Sequence, residues 1–159
     1  LVRGVLRVGD FLRKLCDVME LSINTSRELN AGVGQGESIL IVDDSTDILD
    51  ALEKGLTRLG YAITTCDSSR EALKLVRDSK NAFQLVLSDT VMPGMNGASL
   101  GKEILKLFPT TPIILYSGYS NIISEHEVLE AGFAAYIRKP VKLKQLAETI
   151  RRILNKREN

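Results

Sequence analysis

The sequence lacks an excess of charge of either sign: 21 Lys and Arg stand against 20 Asp and Glu, a net charge of +1. That balance gives no electrostatic case for nucleic acid or an anionic membrane as the main partner. Cysteine is scarce. The two present, Cys16 and Cys66, fit no metal-binding or redox spacing and read as reduced thiols of a cytoplasmic protein. No apolar run is long enough to span a bilayer, so no membrane contact is expected of this segment. The N-terminal stretch mixes both charge signs, unlike a secretory signal. There is no internal repeat and no low-complexity segment. What is present is ordinary for a soluble protein: 44% hydrophobic and 26% charged residues, in a 159-residue length that suits one compact domain with a modest extension. The first residue is Leu, which suits a piece of a longer chain.

The chain divides near residue 36. Residues 1–29 read as an N-terminal helical extension, 30–36 as a Gly-rich linker and 37–157 as the main domain. In the extension, Val5, Val8, Leu12, Leu15 and Met19 fall on a three-four spacing, like a short coiled-coil seam. Gly4 and Gly9 weaken that seam by about 1 kcal/mol each relative to Ala. A helix packed on its own domain, a homodimer helix and the remnant of an upstream domain are all open readings.

Beyond the linker, short apolar runs alternate five times with amphipathic stretches. The runs are Ser38 to Val42, Ala62 to Cys66, Leu85 to Ser88, Pro112 to Tyr116 and Ala135 to Ile137. Short runs rich in Ile, Val and Leu suit strands buried on both faces of a parallel sheet. Helical faces lie between them: Ile48, Leu49, Leu52, Leu56 and Leu59; Ala72, Leu73, Leu75 and Val76; Leu100, Ile104, Leu105 and Phe108; Ile122, Ile123, Val128 and Leu129; and Leu143, Leu146, Ile150, Ile153 and Leu154. Gly60, Pro109 and Gly132 act as stop signals. Strict strand–helix alternation predicts an α/β, doubly wound five-stranded parallel sheet.

Ligands of such a sheet bind beyond the carboxyl ends of its strands. There the first run ends in Asp43 and Asp44, the third in Asp89, the fourth in Ser117, and the fifth leads to Lys139 and Pro140. Three neighbouring carboxylates resist joint ionisation. A hard divalent cation such as Mg²⁺ removes the conflict. Asp89 can then serve as a nucleophile toward phosphorus, with Lys139 offsetting charge on the transferring group and Ser117 donating a hydrogen bond.

From Glu37 to about Lys156 the chain resembles the receiver domain of bacterial response regulators. Four motifs carry the resemblance: Ile39-Leu40-Ile41-Val42-Asp43-Asp44, Leu87-Ser88-Asp89-Thr90-Val91-Met92-Pro93 through Gly97, Tyr116-Ser117-Gly118, and Ala135-Tyr136-Ile137-Arg138-Lys139-Pro140. The resemblance implies a flavodoxin-like (βα)5 fold with strand order 2-1-3-4-5. It implies Asp89 as phosphoacceptor and Lys139 as the lysine that pairs with the phosphoryl group. Asp43, Asp44, Asp89 and the Val91 carbonyl become the Mg²⁺ set, with Asp44 a direct ligand and Asp43 acting through water. Ser117 and Tyr136 become the switch pair, and the Lys139–Pro140 bond is expected to be cis. The implied partner is a sensor histidine kinase, in trans or in the same chain. The implied activity is limited to self-phosphorylation and slow autodephosphorylation, with kinase activity only if an upstream kinase domain is missing from this chain. The wording Ile113-Ile114-Leu115-Tyr116-Ser117-Gly118-Tyr119-Ser120 is most similar to receivers of hybrid kinases. No helix-turn-helix follows Lys156, so signalling by contact, as a stand-alone regulator or a hybrid-kinase module, is the expectation.

Three departures bear on turnover. Ser45 follows the acidic pair where the family often has Glu. Val91 is apolar and Tyr119 is bulky, and both positions flank the acyl phosphate. Slow hydrolysis is the expectation. Two alternatives use the same residues differently. A phosphatase of the haloacid dehalogenase type would need an acid at position 91. A pseudo-receiver interaction module would normally lack Asp89, the acidic pair or Lys139. Simpler readings also exist: Asp43 and Asp44 as helix caps, with Ser45 or Thr46 the better cap, and Tyr136 as core packing. His126 reads as a surface histidine, because the Arg and Pro of a phospho-accepting histidine motif do not follow it. Gly32 to Gly36 leads into a strand, not out of one, so it is no nucleotide loop. The basic end, Arg151, Arg152, Lys156 and Arg157, suits a helix C-terminus.

Overall fold

The computed structural model describes residues 32–78, 83–118 and 124–157. Cys16, the N-terminal seam, Asn30, Ala31, Tyr119, Ile122 and Ile123 lie outside the described residues.

Five strands, β1 (Ser38–Val42), β2 (Ala62–Cys66), β3 (Leu85–Asp89), β4 (Ile113–Ser117) and β5 (Ala135–Arg138), form one sheet in the order β2-β1-β3-β4-β5. All neighbouring pairs are parallel. Between and after them run α1 (Thr46–Arg58), α2 (Ser69–Asp78), α3 (Gly97–Leu107), α4 (Glu125–Glu130) and α5 (Leu143–Asn155). The expected fold class and strand order both hold. Three strand ends differ from the apolar runs. β3 includes Asp89, β4 runs one residue later to include Ser117, and β5 includes Arg138. Hydrogen bonds decide where a strand ends, and the ladder outlasts the apolar residues. The Thr90 N–H donates to the Tyr116 carbonyl at 3.0 Å and the Lys139 N–H to the Ser117 carbonyl at 2.8 Å.

The sheet separates two apolar layers, as period-two alternation in fully buried strands requires. Ile39, Ile41, Leu87, Ile114 and Tyr116 pack against Leu52, Leu56, Leu146 and Ile150 of α1 and α5. Leu40, Val42, Val86 and Leu115 pack against Ala72, Val76, Leu100, Ile104 and Val128 of α2, α3 and α4. Burying each such Leu, Ile or Val side chain contributes about 1.5–3 kcal/mol. Two residues assigned to helical faces are instead exposed. Leu129 is 49% accessible near the end of the short α4, and Leu143 is 39% accessible on the first turn of α5, where it lies against Gly55.

Helix ends follow local chemistry. Asn96 caps α3 by accepting from the Ser99 N–H at 2.8 Å. Ser124 and Glu127 form a reciprocal capping box at α4. Gly60, at φ +94°, turns the chain out of α1. Gly34 and Gly36 donate to the Leu59 and Gly60 carbonyls at 2.6 and 2.8 Å, and Glu37 is ion-paired with Arg151 of α5. No helix among the described residues is long and apolar enough to cross a membrane.

Candidate functional site

The sheet register builds the site. Asp89 is the partner of Tyr116, and Leu87 and Ile114 form the row below, so Asp89 and Tyr116 share the face that carries α1 and α5. Asp43 stands one residue past β1, whose Ile41 is registered with Leu87, and so continues the same row. Lys139 follows β5. One row at the carboxyl end of the sheet therefore collects two acids and a phenol, and Lys139, two residues past Ile137 of that row, adds an ammonium beside it.

The distances confirm the convergence. Lys139 Nζ lies 3.0 Å from Asp43 Oδ2 and 3.1 Å from Asp89 Oδ1. Asp43, Asp44 and Asp89 each bring a carboxylate oxygen within 4.8 Å of the others. Asp43 and Asp89 are buried and Asp44 is exposed. Asp43 Oδ1 accepts from the Ser45 N–H at 2.8 Å. This bond is not a helix cap of the usual kind, because Ser45 itself occupies the N-cap position of α1 and its side chain makes no cap hydrogen bond. Ser117 is buried, and its carbonyl accepts a backbone hydrogen bond from the Lys139 N–H just past β5.

Burial holds the Asp89 carboxyl above the usual carboxylate range, and the charge of Asp43 adds to the effect. The Lys139 ammonium opposes both without cancelling them. The Tyr116 hydroxyl is driven far above the ordinary phenol range, first by burial and then by its bond to Asp43 and the nearby acids.

Three carboxylates against one ammonium leave two negative charges uncompensated when all are ionised. The donors are all oxygen. Both features fit a hard divalent cation of the Mg²⁺ kind, and a nitrogen- or sulfur-seeking metal would find no matching ligand here.

The loop after β3 is fixed tightly. The Gly97 N–H donates to the Thr90 carbonyl at 3.2 Å, closing the turn that carries Val91. The buried Ser69 of α2 donates to the Met95 carbonyl at 2.5 Å and anchors the far side of that turn. Val91 itself is 52% accessible. The Lys139–Pro140 bond is cis, as expected. Tyr136, the residue read as the switch aromatic, is half-buried against the α2–α4 layer. His126 is exposed on α4, 3.4 Å from Glu130, and is not a member of the acidic cluster. Sequence reading missed Ser69 and the polar role of Tyr116; Gly97 it placed in the loop beside the acceptor, but not its close approach to the Asp89 carbonyl. For Tyr116 a signal existed: strand alternation puts it in the row of Asp89, and a buried phenol seeks a polar partner.

The family model described as response regulator receiver domain matches residues 39–151. The two-component response regulator ARR14 of Arabidopsis thaliana is 37% identical over 118 residues, 74% of this chain and 31% of that protein. The C4-dicarboxylate transport transcriptional regulatory protein DctD of Rhizobium meliloti is 32% identical over 120 residues, 76% of this chain and 26% of that protein. This chain thus spans about a third or less of the curated relatives it matches. Among solved structures, a CheY-like response regulator receiver domain protein of Methanospirillum hungatei superposes with a TM-score of 0.72 at 35% identity, over 77% of this chain and 97% of that one. The match covers the strands, the acidic cluster and Lys139 together, and the chain belongs to the response regulator receiver domain family of two-component signalling.

Proposed function

We propose that this receiver accepts a phosphoryl group from a phosphohistidine onto Asp89, with Mg²⁺ held by Asp43, Asp44, Asp89 and the Val91 carbonyl. The observation that carries this reading is the Lys139 ammonium bridging Asp43 and Asp89 beside a third carboxylate. When bound, the cation would neutralise charge on the phosphoryl oxygens. An Asp89 carboxylate oxygen forms the new bond to phosphorus. The P–N bond to the histidine breaks, and its electron pair leaves with the imidazole. Lys139, already at the cluster, pairs with the phosphoryl oxygens, and Ser117 donates a hydrogen bond to them. That contact draws on Ser117 at the end of β4, and Tyr136 on β5 would follow it as the second switch residue.

A sensor histidine kinase is the proposed donor, in the same chain or in trans, and a cytoplasmic hybrid-kinase module or stand-alone regulator is the proposed context. Residues 1–29 are proposed as a helical extension, 30–36 as its linker and 37–157 as the receiver, with the extension offering a route to a homodimer. The test is incubation with phosphoramidate and Mg²⁺. A mass gain of one phosphoryl group that needs Mg²⁺ supports the reading. No gain with any small donor favours a pseudo-receiver, and continuous phosphate release favours a phosphatase.

Hydrolysis of the acyl phosphate is proposed to be slow. The exposed Val91 side chain carries no polar group to orient an attacking water. Val91→Asn is expected to shorten the phosphoryl half-life several-fold, read by mass spectrometry after donor removal. A half-life of seconds in the unsubstituted protein, or no change in the variant, would count against this.

A further inference from the structure

Tyr116 has no accessible surface, yet it carries a hydroxyl at the edge of a charged pocket. A buried phenol is stable only with a partner. Its hydroxyl donates to Asp43 Oδ2 at 2.6 Å. That same oxygen accepts from Lys139 Nζ at 3.0 Å, and the other Asp43 oxygen accepts from the Ser45 N–H at 2.8 Å. Three protein donors therefore fix the carboxylate plane of a residue that is 1% accessible. The ring does a second job. The Lys139 ammonium lies 4.6 Å from its centroid, within cation–π range, while also paired with Asp89. One side chain thus holds the acid through its hydroxyl and the lysine through its face.

We propose that Tyr116 is a positioning residue of this receiver: its hydroxyl orients Asp43 so that Asp43 faces Mg²⁺ together with Asp44 and Asp89. The inference rests on reading those three acids as the Mg²⁺ set. The physical ground is that a carboxylate free to rotate must be ordered when the cation arrives, whereas a pinned one is ordered beforehand. Lys139 cannot fill this role alone, since the phosphoryl group would draw its ammonium away from Asp43. The Tyr116 hydroxyl, on a fully buried side chain, makes its bond to Asp43 without depending on Lys139.

The experiment is calorimetric titration of Mg²⁺ into the unsubstituted protein, Tyr116→Phe, Asp43→Asn and the double variant. Tyr116→Phe deletes one atom and keeps the ring, its packing and its contact with Lys139. It is expected to weaken Mg²⁺ binding about 10-fold, the usual effect of removing a group that orients a ligand. In the Asp43→Asn background the same deletion is expected to change affinity by less than about 2-fold, because the coupled partner is gone. Unchanged affinity in Tyr116→Phe overturns the inference. So does an equal loss in both backgrounds, which would mark a general structural effect. Failure of the unsubstituted protein to bind Mg²⁺ overturns the reading of the site itself, a result distinct from either.

Discussion

Asp89→Asn is expected to abolish phosphoryl uptake from phosphoramidate while leaving the fold intact. An amide cannot serve as the anionic nucleophile that forms an acyl phosphate. Asp43 and Asp44 remain but sit on the other side of the Lys139 ammonium or out in solvent, so neither is placed to substitute. The same change is expected to raise the melting temperature of the Mg²⁺-free protein by about 3 °C, what rather less than 1 kcal/mol gives for a domain of this size. The sign follows from the raised carboxyl of Asp89, caused first by burial. A carboxyl raised on folding costs native stability wherever it is ionised. The cost is fully present above its folded pKa and vanishes below its unfolded one, near about 3.9. The gain from Asn should therefore be largest near neutral pH and shrink as the pH falls toward the ordinary aspartate range. Saturating Mg²⁺ should reverse the order, stabilising the unsubstituted protein more than the variant. A variant that still gains a phosphoryl group, or that melts lower at neutral pH without Mg²⁺, contradicts this account.

Gly97→Ala should be the most damaging single change in the loop region. A Cβ at Gly97 would stand 1.9 Å from the carbonyl oxygen of Asp89, and 2.9 Å from both the Asp89 carbonyl carbon and Ser88 Oγ. Those are mostly backbone atoms of a fully buried strand, so they cannot turn aside as a flexible side chain would. Relief must come from displacing either α3, which begins at Gly97, or the end of β3 that carries the phosphoacceptor. Overpacking of this kind costs about 3 kcal/mol or more. Urea denaturation should show that loss, and phosphoryl uptake should fall with it because Asp89 itself is moved. A loss under about 1 kcal/mol would mean that the helix and strand are not in the contact described.

The acidic cluster was legible because its members end strands, and strand ends of an α/β sheet lie together. Asp43, Asp44, Asp89 and Lys139 could be placed at one edge without any distance being known. Three strand ends were less legible, since Asp89, Ser117 and Arg138 are polar and an apolar run stops before them. Their backbone groups nonetheless continue the ladder, and hydrogen bonds are invisible to a hydropathy pattern. Leu129 and Leu143 fit helical spacing but lie near helix ends, where the face turns out of the core. Tyr116 was legible as a buried strand residue before Ser117 whose phenol needs a polar partner, but the identity of that partner was not. Its hydroxyl partner, Asp43, is 73 positions away, and only the register of two strand pairs brings them together. Gly97 has the same character: a glycine in a loop looks permissive until a neighbouring strand is shown to press against it.

The central claim is that Asp89 is the acceptor. Its most direct test is to phosphorylate the unsubstituted protein with phosphoramidate and Mg²⁺, reduce the acyl phosphate with borohydride, and map the reduced residue by peptide mass spectrometry. Reduction turns a phosphorylated aspartate into homoserine and leaves unmodified acids unchanged. The prediction is homoserine at position 89 alone. Homoserine at 43 or 44, or a phosphoryl group that survives reduction on a serine, threonine or His126, would contradict it.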